Sequence, residues 1–201
     1  MYQKILTHAT DKFITLGFKS VTMDEIAQDL GISKKTLYQY FSTKEDLVKA
    51  TSFNVFDEIS AGIDEIQSMQ KNPIEEIYNI KDFVINFLKN EQSSPQYQLK
   101  KFYPLIYHSL QEKVYQKMST CVVDSLKRGI EIGIFRKEIH LEFIFRLYYK
   151  VINMIKEKEL FEEGLGNNLE EELYLDYHIR GIATIEGLEF YYKYKNVNNN
   201  D

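Results

Sequence analysis

Most of what would mark an enzyme, a secreted protein or a membrane protein is missing from this chain. It has one cysteine, Cys121, in 201 residues. No intramolecular disulfide can form, which fits a reducing compartment. No cationic leader followed by an apolar stretch opens it, because Lys4, His8, Asp11 and Lys12 interrupt the start. No apolar run approaches the roughly 20 residues needed to cross a bilayer. These absences predict a cytoplasmic protein with no membrane partner. His8, His108, His140 and His178 show no ligand spacing with Cys121 or with carboxylates, so no metal is expected. Gly164-Leu165-Gly166 has no strand before it and Glu162-Glu163 beside it, so it is a surface turn and not a phosphate cradle. No cofactor is expected. No Ser/His/Asp set or paired carboxylates stand out, which leaves a small helical enzyme with little support.

What is present is the composition of an ordinary folded protein, 44% hydrophobic and 27% charged. The net charge of −5 seems to disfavour a polyanionic partner, but the imbalance is local. Residues 1–47 hold six cations (Lys4, Lys12, Lys19, Lys34, Lys35, Lys44) and six acids (Asp11, Asp24, Glu25, Asp29, Glu45, Asp46). All the excess acid therefore lies beyond them. DNA needs only a local basic patch, and acidity elsewhere keeps the rest of the molecule off the duplex.

Apolar residues recur at helical spacing and no segment alternates as a strand would, so the fold is expected to be all-α. A first helix, Tyr2 to Leu16, buries Ile5, Leu6, Ala9, Phe13 and Leu16 and stops at Gly17. A long helix from Lys44 carries Leu47, Phe56, Ile59, Ile63 and Ile66 and ends before Asn72-Pro73. Pro73 can open the next helix at its first position. Gln92-Ser93-Ser94-Pro95 is the next break. Helical pattern then runs from Gln96 to about Gly133, with Pro104 a kink or boundary. Two more helices are expected, about Ile139 to Leu160 and about Leu169 to Tyr194. There is no internal repeat. The expected division is a head at 1–47, a larger helical body at 48–195 and a disordered tail at 196–201.

The densest signal lies between Thr22 and Lys44. Thr22 followed three residues later by Glu25 is a capping box, in which each side chain satisfies a backbone N–H. Ile26, Ala27 and Leu30 form one apolar face, and Gly31 can end the helix in the left-handed conformation. Ser33 can cap a second helix, Lys34 to about Phe41, whose Leu37 and Phe41 face inward. Lys34, Lys35, Thr36, Tyr38 and Tyr40 are then left to point outward. Lysines at a helix N-terminus oppose the macrodipole, a placement that an arriving phosphate would offset. The result is a helix-turn-helix whose second helix presents hydrogen-bonding groups.

Gly17-Phe18, Thr22-Met23-Asp24-Glu25-Ile26-Ala27, Leu30-Gly31-Ile32-Ser33, Thr36-Leu37-Tyr38-Gln39-Tyr40-Phe41 and Lys44-Glu45-Asp46-Leu47 together resemble the DNA-binding region of the tetracycline-repressor (TetR) family. The likeness covers about the first quarter of the chain. It implies a homodimeric transcriptional regulator, usually a repressor released by a small molecule, with double-stranded, pseudo-palindromic DNA as partner. By this resemblance Lys34, Lys35, Thr36 and Tyr38 meet bases or nearby phosphates, and Thr22, Tyr40 and Lys44 hold the backbone. Ser33 completes the DNA-facing set. One departure is expected to matter: the chain starts almost at its first helix, without a basic arm for the minor groove.

Beyond the head the signals are weaker. Tyr97, Tyr103, Tyr107 and His108 lie near two prolines, where irregular packing can leave a cavity. Phe83, Phe87, Tyr103, Tyr107 and Cys121 are the candidate lining for a mostly apolar effector, although aromatics at helical spacing are usually core. Ile139, Phe143, Leu147, Val151 and Ile155, matched by Leu173, Leu188, Tyr191 and the small Gly181, Ala183 and Gly187, fit a two-fold interface. Phe143, Leu147, Val151, Ala183, Gly187 and Leu188 are its candidate residues. These stripes could equally pack inside one subunit, and the family resemblance favours the dimer. The competing function is a helical protein-interaction module without sequence-specific DNA binding.

Overall fold

The computed structural model describes residues 1–88, 95–157 and 166–198. Among them it forms ten helices: α1 (Tyr2–Leu16), α2 (Met23–Asp29), α3 (Lys34–Tyr40), α4 (Lys44–Ser68), α5 (Pro73–Leu88), α6 (Pro95–Phe102), α7 (Pro104–Glu131), α8 (Leu141–Lys156), α9 (Asn167–Ile182) and α10 (Ile185–Asn198). No strand forms among the described residues, and one isolated antiparallel bridge joins Phe135 to Ala183. The expected break at Gln92-Ser93-Ser94 and the expected turn at Gly164-Leu165 lie outside the described residues. None of the helices described is long and apolar enough to cross a membrane.

The chain forms two compact units. The first comprises residues 1–68 and 80–114. Ile5, Leu6, Ala9 and Phe13 recur along one face of α1, as their spacing predicts. They are buried with Ile26, Ala27, Leu37, Phe41, Leu47 and Val48. Leu16, expected in this core, is instead 53% exposed as the last residue of α1. Gly17 ends α1 with φ 84°, and Phe18 then packs on Phe13 with ring centroids 5.1 Å apart. The same core takes in Leu99 of α6 and Ile106 and Tyr107 of α7, so the unit does not stop at residue 47. Pro104 begins α7, and α6 is a separate helix. Gly62 on α4 meets Phe83 of α5 so closely that a Cβ there would overlap the ring.

The second unit comprises residues 69–79 and those from 115 onward. Its core gathers Ile74, Tyr78, Leu126, Phe135, Leu175, Ile179, Ile182 and Tyr191. Glu76, fully buried, pairs with Arg128 at 2.5 Å, and Arg128 also donates to the Lys71 carbonyl at 3.2 Å. Such a carboxylate is tolerable inside only because the guanidinium compensates its lost hydration.

One expected helix, Leu169 to Tyr194, is two. It breaks at Ala183-Thr184, where neither glycine nor proline marks an end. The Thr184 N–H donates to the Ile134 carbonyl at 3.0 Å and its hydroxyl to the Gly133 carbonyl at 2.7 Å. The Arg136 N–H donates to the Ile182 carbonyl at 2.9 Å. These long-range bonds hold the chain open where local preference would continue the helix. α10 also runs through 196–198, which were expected in a disordered tail; residues 199–201 lie outside the described residues.

Candidate nucleic-acid interface

Thr22 caps α2 through both halves of a capping box. Its N–H donates to Glu25 Oε2 at 2.7 Å, and the Glu25 N–H donates to its hydroxyl oxygen at 3.2 Å. The Thr22 hydroxyl also donates to Glu25 Oε2 at 2.9 Å. These backbone and side-chain bonds from Thr22 hold the Glu25 carboxyl below the usual carboxylate range. A cap of this kind contributes about 1 kcal/mol, so Thr22 has a structural role whatever else it touches.

The turn that follows needs Gly31 for conformation. Its φ is +64°, and a Cβ built on it would meet nothing within 4 Å. The helix-turn-helix pattern suggests a lack of room at this position; the restriction is instead the left-handed backbone, which disfavours side chains. Ile32 sits partly buried against the head core. Ser33 then caps α3, accepting from the Thr36 N–H at 3.0 Å, with its hydroxyl 2.8 Å from that of Thr36. Leu37, wholly buried, fixes the helix by its inner face. Burying such a side chain contributes about 1.5–3 kcal/mol.

The outer face of α3 carries the expected set. Lys34, Lys35, Tyr38 and Tyr40 are exposed, and Thr36 is half-buried. Lys34 is partly spoken for: its ammonium pairs with Asp24 of α2 at 2.5 Å. That pair answers the dipole conflict at the start of α3 without DNA. Lys35 forms no ion pair among the described residues and is the more available cation. Lys44, at the start of α4, is half-buried, and desolvation pulls its ammonium below the usual lysine range, with Glu25 opposing. A partly desolvated cation gains most from an arriving anion.

One element is absent from the sequence-based expectations. Thr43 and Asp46 form a second capping box at the start of α4, with N–H···O distances of 3.0 Å in both directions. Thr-x-x-Asp ahead of Leu47 is its signal. The box fixes the end of α4 that holds Lys44, so both helices flanking α3 start at reciprocal caps.

Residues 5–51 match the family described as bacterial regulatory proteins, tetR family. The chain is 28% identical over 132 residues to the HTH-type transcriptional regulator YhgD of Bacillus subtilis, covering 65% of this chain and 67% of that protein. It is 28% identical over 151 residues to the HTH-type transcriptional repressor KstR2 of Mycobacterium tuberculosis, covering 71% and 73%. The N-terminal region of the chain is that of the TetR-family transcriptional regulators. The solved structure of a transcriptional regulator from Cytophaga hutchinsonii matches with a TM-score of 0.73 at 19% identity, covering 90% of this chain and 98% of that one. At that identity the likeness shows the fold alone. TetR-family regulators bind DNA operators and are usually dimers.

The residues expected to line an effector pocket are not gathered by one compact unit. Phe83, Phe87, Tyr103 and Tyr107 fall in the first unit and Cys121 in the second. Phe83 and Phe87 pack as a tilted pair, centroids 6.0 Å apart, beside Gly62. Tyr107 is a buried member of the head core, and Tyr103 stands edge-on to Phe18 at 6.1 Å. These two tyrosines therefore fasten α6 and α7 to the head, which corrects their expected place in a cavity wall. A surface cleft lined by Gln3, Lys4, Thr7, His8, Asp11 and Leu30 includes none of the five.

The interface candidates divide too. Phe143 and Leu147 on α8 are 61% and 40% exposed, and Leu173 and Tyr177 on α9 are 52% and 72% exposed. Val151 is half-buried and Leu188 packs partly on the core of its own unit. Ala183 and Gly187 are buried inside the subunit, and a Cβ on Gly187 would overlap the Ile134 carbonyl oxygen. Small residues do permit a close approach there, but within one chain; they are corrected as candidates for contact with a second.

Proposed function

We propose that the chain is a homodimeric, effector-responsive repressor acting in the cytoplasm, with residues 1–47 as its DNA-reading head and 48–195 as its effector and dimerisation body. The observation that carries this reading is α3, held by a Ser33 cap and the buried Leu37, with Lys35, Tyr38 and Tyr40 exposed together. Lys34, Lys35, Thr36 and Tyr38 are assigned to base edges and nearby phosphates. Thr22, Ser33, Tyr40 and Lys44 are assigned to the backbone. Phe143, Leu147 and Val151, joined by the exposed Leu173 and Tyr177, supply the two-fold contact, so that two heads read a pseudo-palindrome.

Repression is supported by the likeness to KstR2 across most of the chain. The likeness to the HTH-type transcriptional activator FasR of Mycolicibacterium smegmatis, 37% identical, spans only 60 residues. For the effector, Phe83 and Phe87 are the favoured contacts. Their neighbour Gly62 lies on α4, which begins at Lys44, so displacing Phe83 acts directly on the helix that carries a DNA contact. Linkage then requires effector and operator to weaken each other equally, typically ~5–150-fold.

The test is selection of bound duplexes from a randomised library by the full-length protein, followed by operator titration in the presence of small apolar molecules found by thermal shift. A pseudo-palindromic site and at least one molecule that lowers operator affinity are expected. Recovery of no preferred sequence would assign the head to a protein partner instead.

A further inference from the structure

The face of α6 carries a basic and aromatic cluster that the helix-turn-helix does not use. Residues 95–109 contain Lys100 and Lys101 and no acid. Gln98 ties this helix to the turn after α1: its Oε1 accepts from the Lys19 N–H at 3.2 Å, and its side chain fills the space a Cβ on Gly17 would need. Leu99 is buried in the same core as α1 to α4, and Tyr103 packs on Phe18. Lys19 and the α6 lysines are thus held on one compact unit.

Lys19 and Lys101 come from segments far apart in sequence, yet each places its ammonium 5.6 Å from the centroid of the same ring, Phe102. Lys101 also lies 5.6 Å from the Tyr97 centroid, with Nζ 3.5 Å from the Tyr97 hydroxyl oxygen. Lys100 lies 5.9 Å from the Tyr107 ring. Phe102 and Tyr97 are 42% and 61% exposed. Aromatic faces attract ammonium groups and fix where they sit, but they do not neutralise them. Neither Lys19 nor Lys101 forms an ion pair among the described residues. The face therefore keeps its positive charge and presents it at set positions.

The head has need of such charge. Its six cations are matched by six acids, Lys34 is paired with Asp24 and Lys12 with Asp29. A duplex offers a phosphate row longer than α3 can meet. Lys19 stands three residues before Thr22, the cap assigned to the backbone, and shares one compact unit with α3 and α6. We infer that Lys19 and Lys101, held around Phe102, form an accessory contact to DNA phosphates flanking the segment that α3 reads. This rests on the DNA-binding reading proposed above.

The experiment uses the full-length protein and the library-selected site, placed in duplexes with short or long flanks. On long flanks the K19Q/K101Q double variant should show a log-affinity against log-salt slope shallower by about 0.9 for each phosphate left unneutralised. Base preference and melting temperature should not change, the short-flank duplex should not distinguish the variant from wild type, and K19R/K101R should restore the slope. An unchanged long-flank slope in K19Q/K101Q, alongside abolished binding in a Lys34/Lys35/Lys44 triple alanine variant, would overturn the accessory contact while sparing the recognition helix. A triple variant that binds like wild type would instead remove the recognition-helix assignment on which the accessory contact rests. Tighter capture by anionic phospholipid vesicles than by the long duplex would also overturn it, assigning the face, with the exposed Leu105, to a lipid surface.

Discussion

The turn between α2 and α3 and the break between α9 and α10 each interrupt a helical stretch within a few residues, the first by local bonds alone and the second with distant ones as well. The first is local. Gly31 supplies the positive φ, Ser33 caps the next helix, and every partner lies within a few residues. The second combines a local cap, Thr184 accepting from the Gly187 N–H at 3.1 Å, with bonds from a distance: Thr184 donates to the carbonyls of Gly133 and Ile134, about fifty residues away in sequence. What differs is where the information sits. A local break is written in residue types, whereas a tertiary break is written in a fold that must already exist.

The largest expected effect sets the first unit against the second. Phe143→Glu with Leu147→Glu should leave the head folded but give monomers, and affinity for the selected operator should fall towards the non-specific level, about 10³-fold or more. Sedimentation together with operator titration measures it. A monomer that keeps operator affinity would show that the exposed α8 stripe is not the interface.

Next come the distant contacts of the body. Arg128→Met strands the Glu76 carboxylate inside the unit and should cost about 3–5 kcal/mol in denaturant unfolding. The double variant with Glu76→Leu should recover much of that deficit. A pH scan probes the same unit. His178 is packed against Tyr148 and Tyr174, with ring centroids 5.3 and 5.6 Å away, and burial pulls its pKa from 6.5 down to about 4. The unfolded chain binds this proton more readily than the folded one. Stability should therefore be full above pH 6.5 and fall as pH drops from 6.5 towards 4, by about 3 kcal/mol. His178→Phe should flatten that part of the curve. An equally steep fall in the variant would remove the assignment to His178, because Glu25 and Asp176, held low by hydrogen bonds, cost stability only as pH falls below 4.5 and 3.8 respectively.

The smallest effect tests the local side. Gly31→Val should cost about 1–2 kcal/mol by forcing a branched side chain into the left-handed region, while Gly31→Asn should be nearly tolerated. Because space around Gly31 is open, equal damage from both changes would mean that crowding and not conformation governs the turn.

How much of the molecule is legible in its sequence follows the same division. The capping box, Gly31, the Ser33 cap, Pro73 and Pro104 all act through neighbours, and the structure has them where residue type alone puts them. Ala183-Thr184 carries neither glycine nor proline, and its one local signal, the Thr184 cap on α10, is too weak by itself to end a helix, so the pattern predicts one helix where there are two. Tyr103 and Tyr107 stand out beside a proline, but a periodicity cannot say that they pack on Phe18 and the head core. Gly187 reads as a close approach, yet its partner, the Ile134 carbonyl, is beyond reach of pattern. Conversely, Lys34 reads as a free cation because Asp24 lies on another helix. Distance along the chain, more than residue type, decides what can be foreseen.

The most direct measurement is the affinity of the full-length protein for its selected duplex across a range of salt, for wild type and for the Lys34/Lys35/Lys44 triple alanine variant. Wild type should bind with a steep negative slope, and the triple variant should bind more weakly and flatten the slope by about 0.9 for each phosphate it no longer neutralises. Salt-independent binding, or a triple variant indistinguishable from wild type, would contradict the assignment of α3 and the start of α4 to DNA.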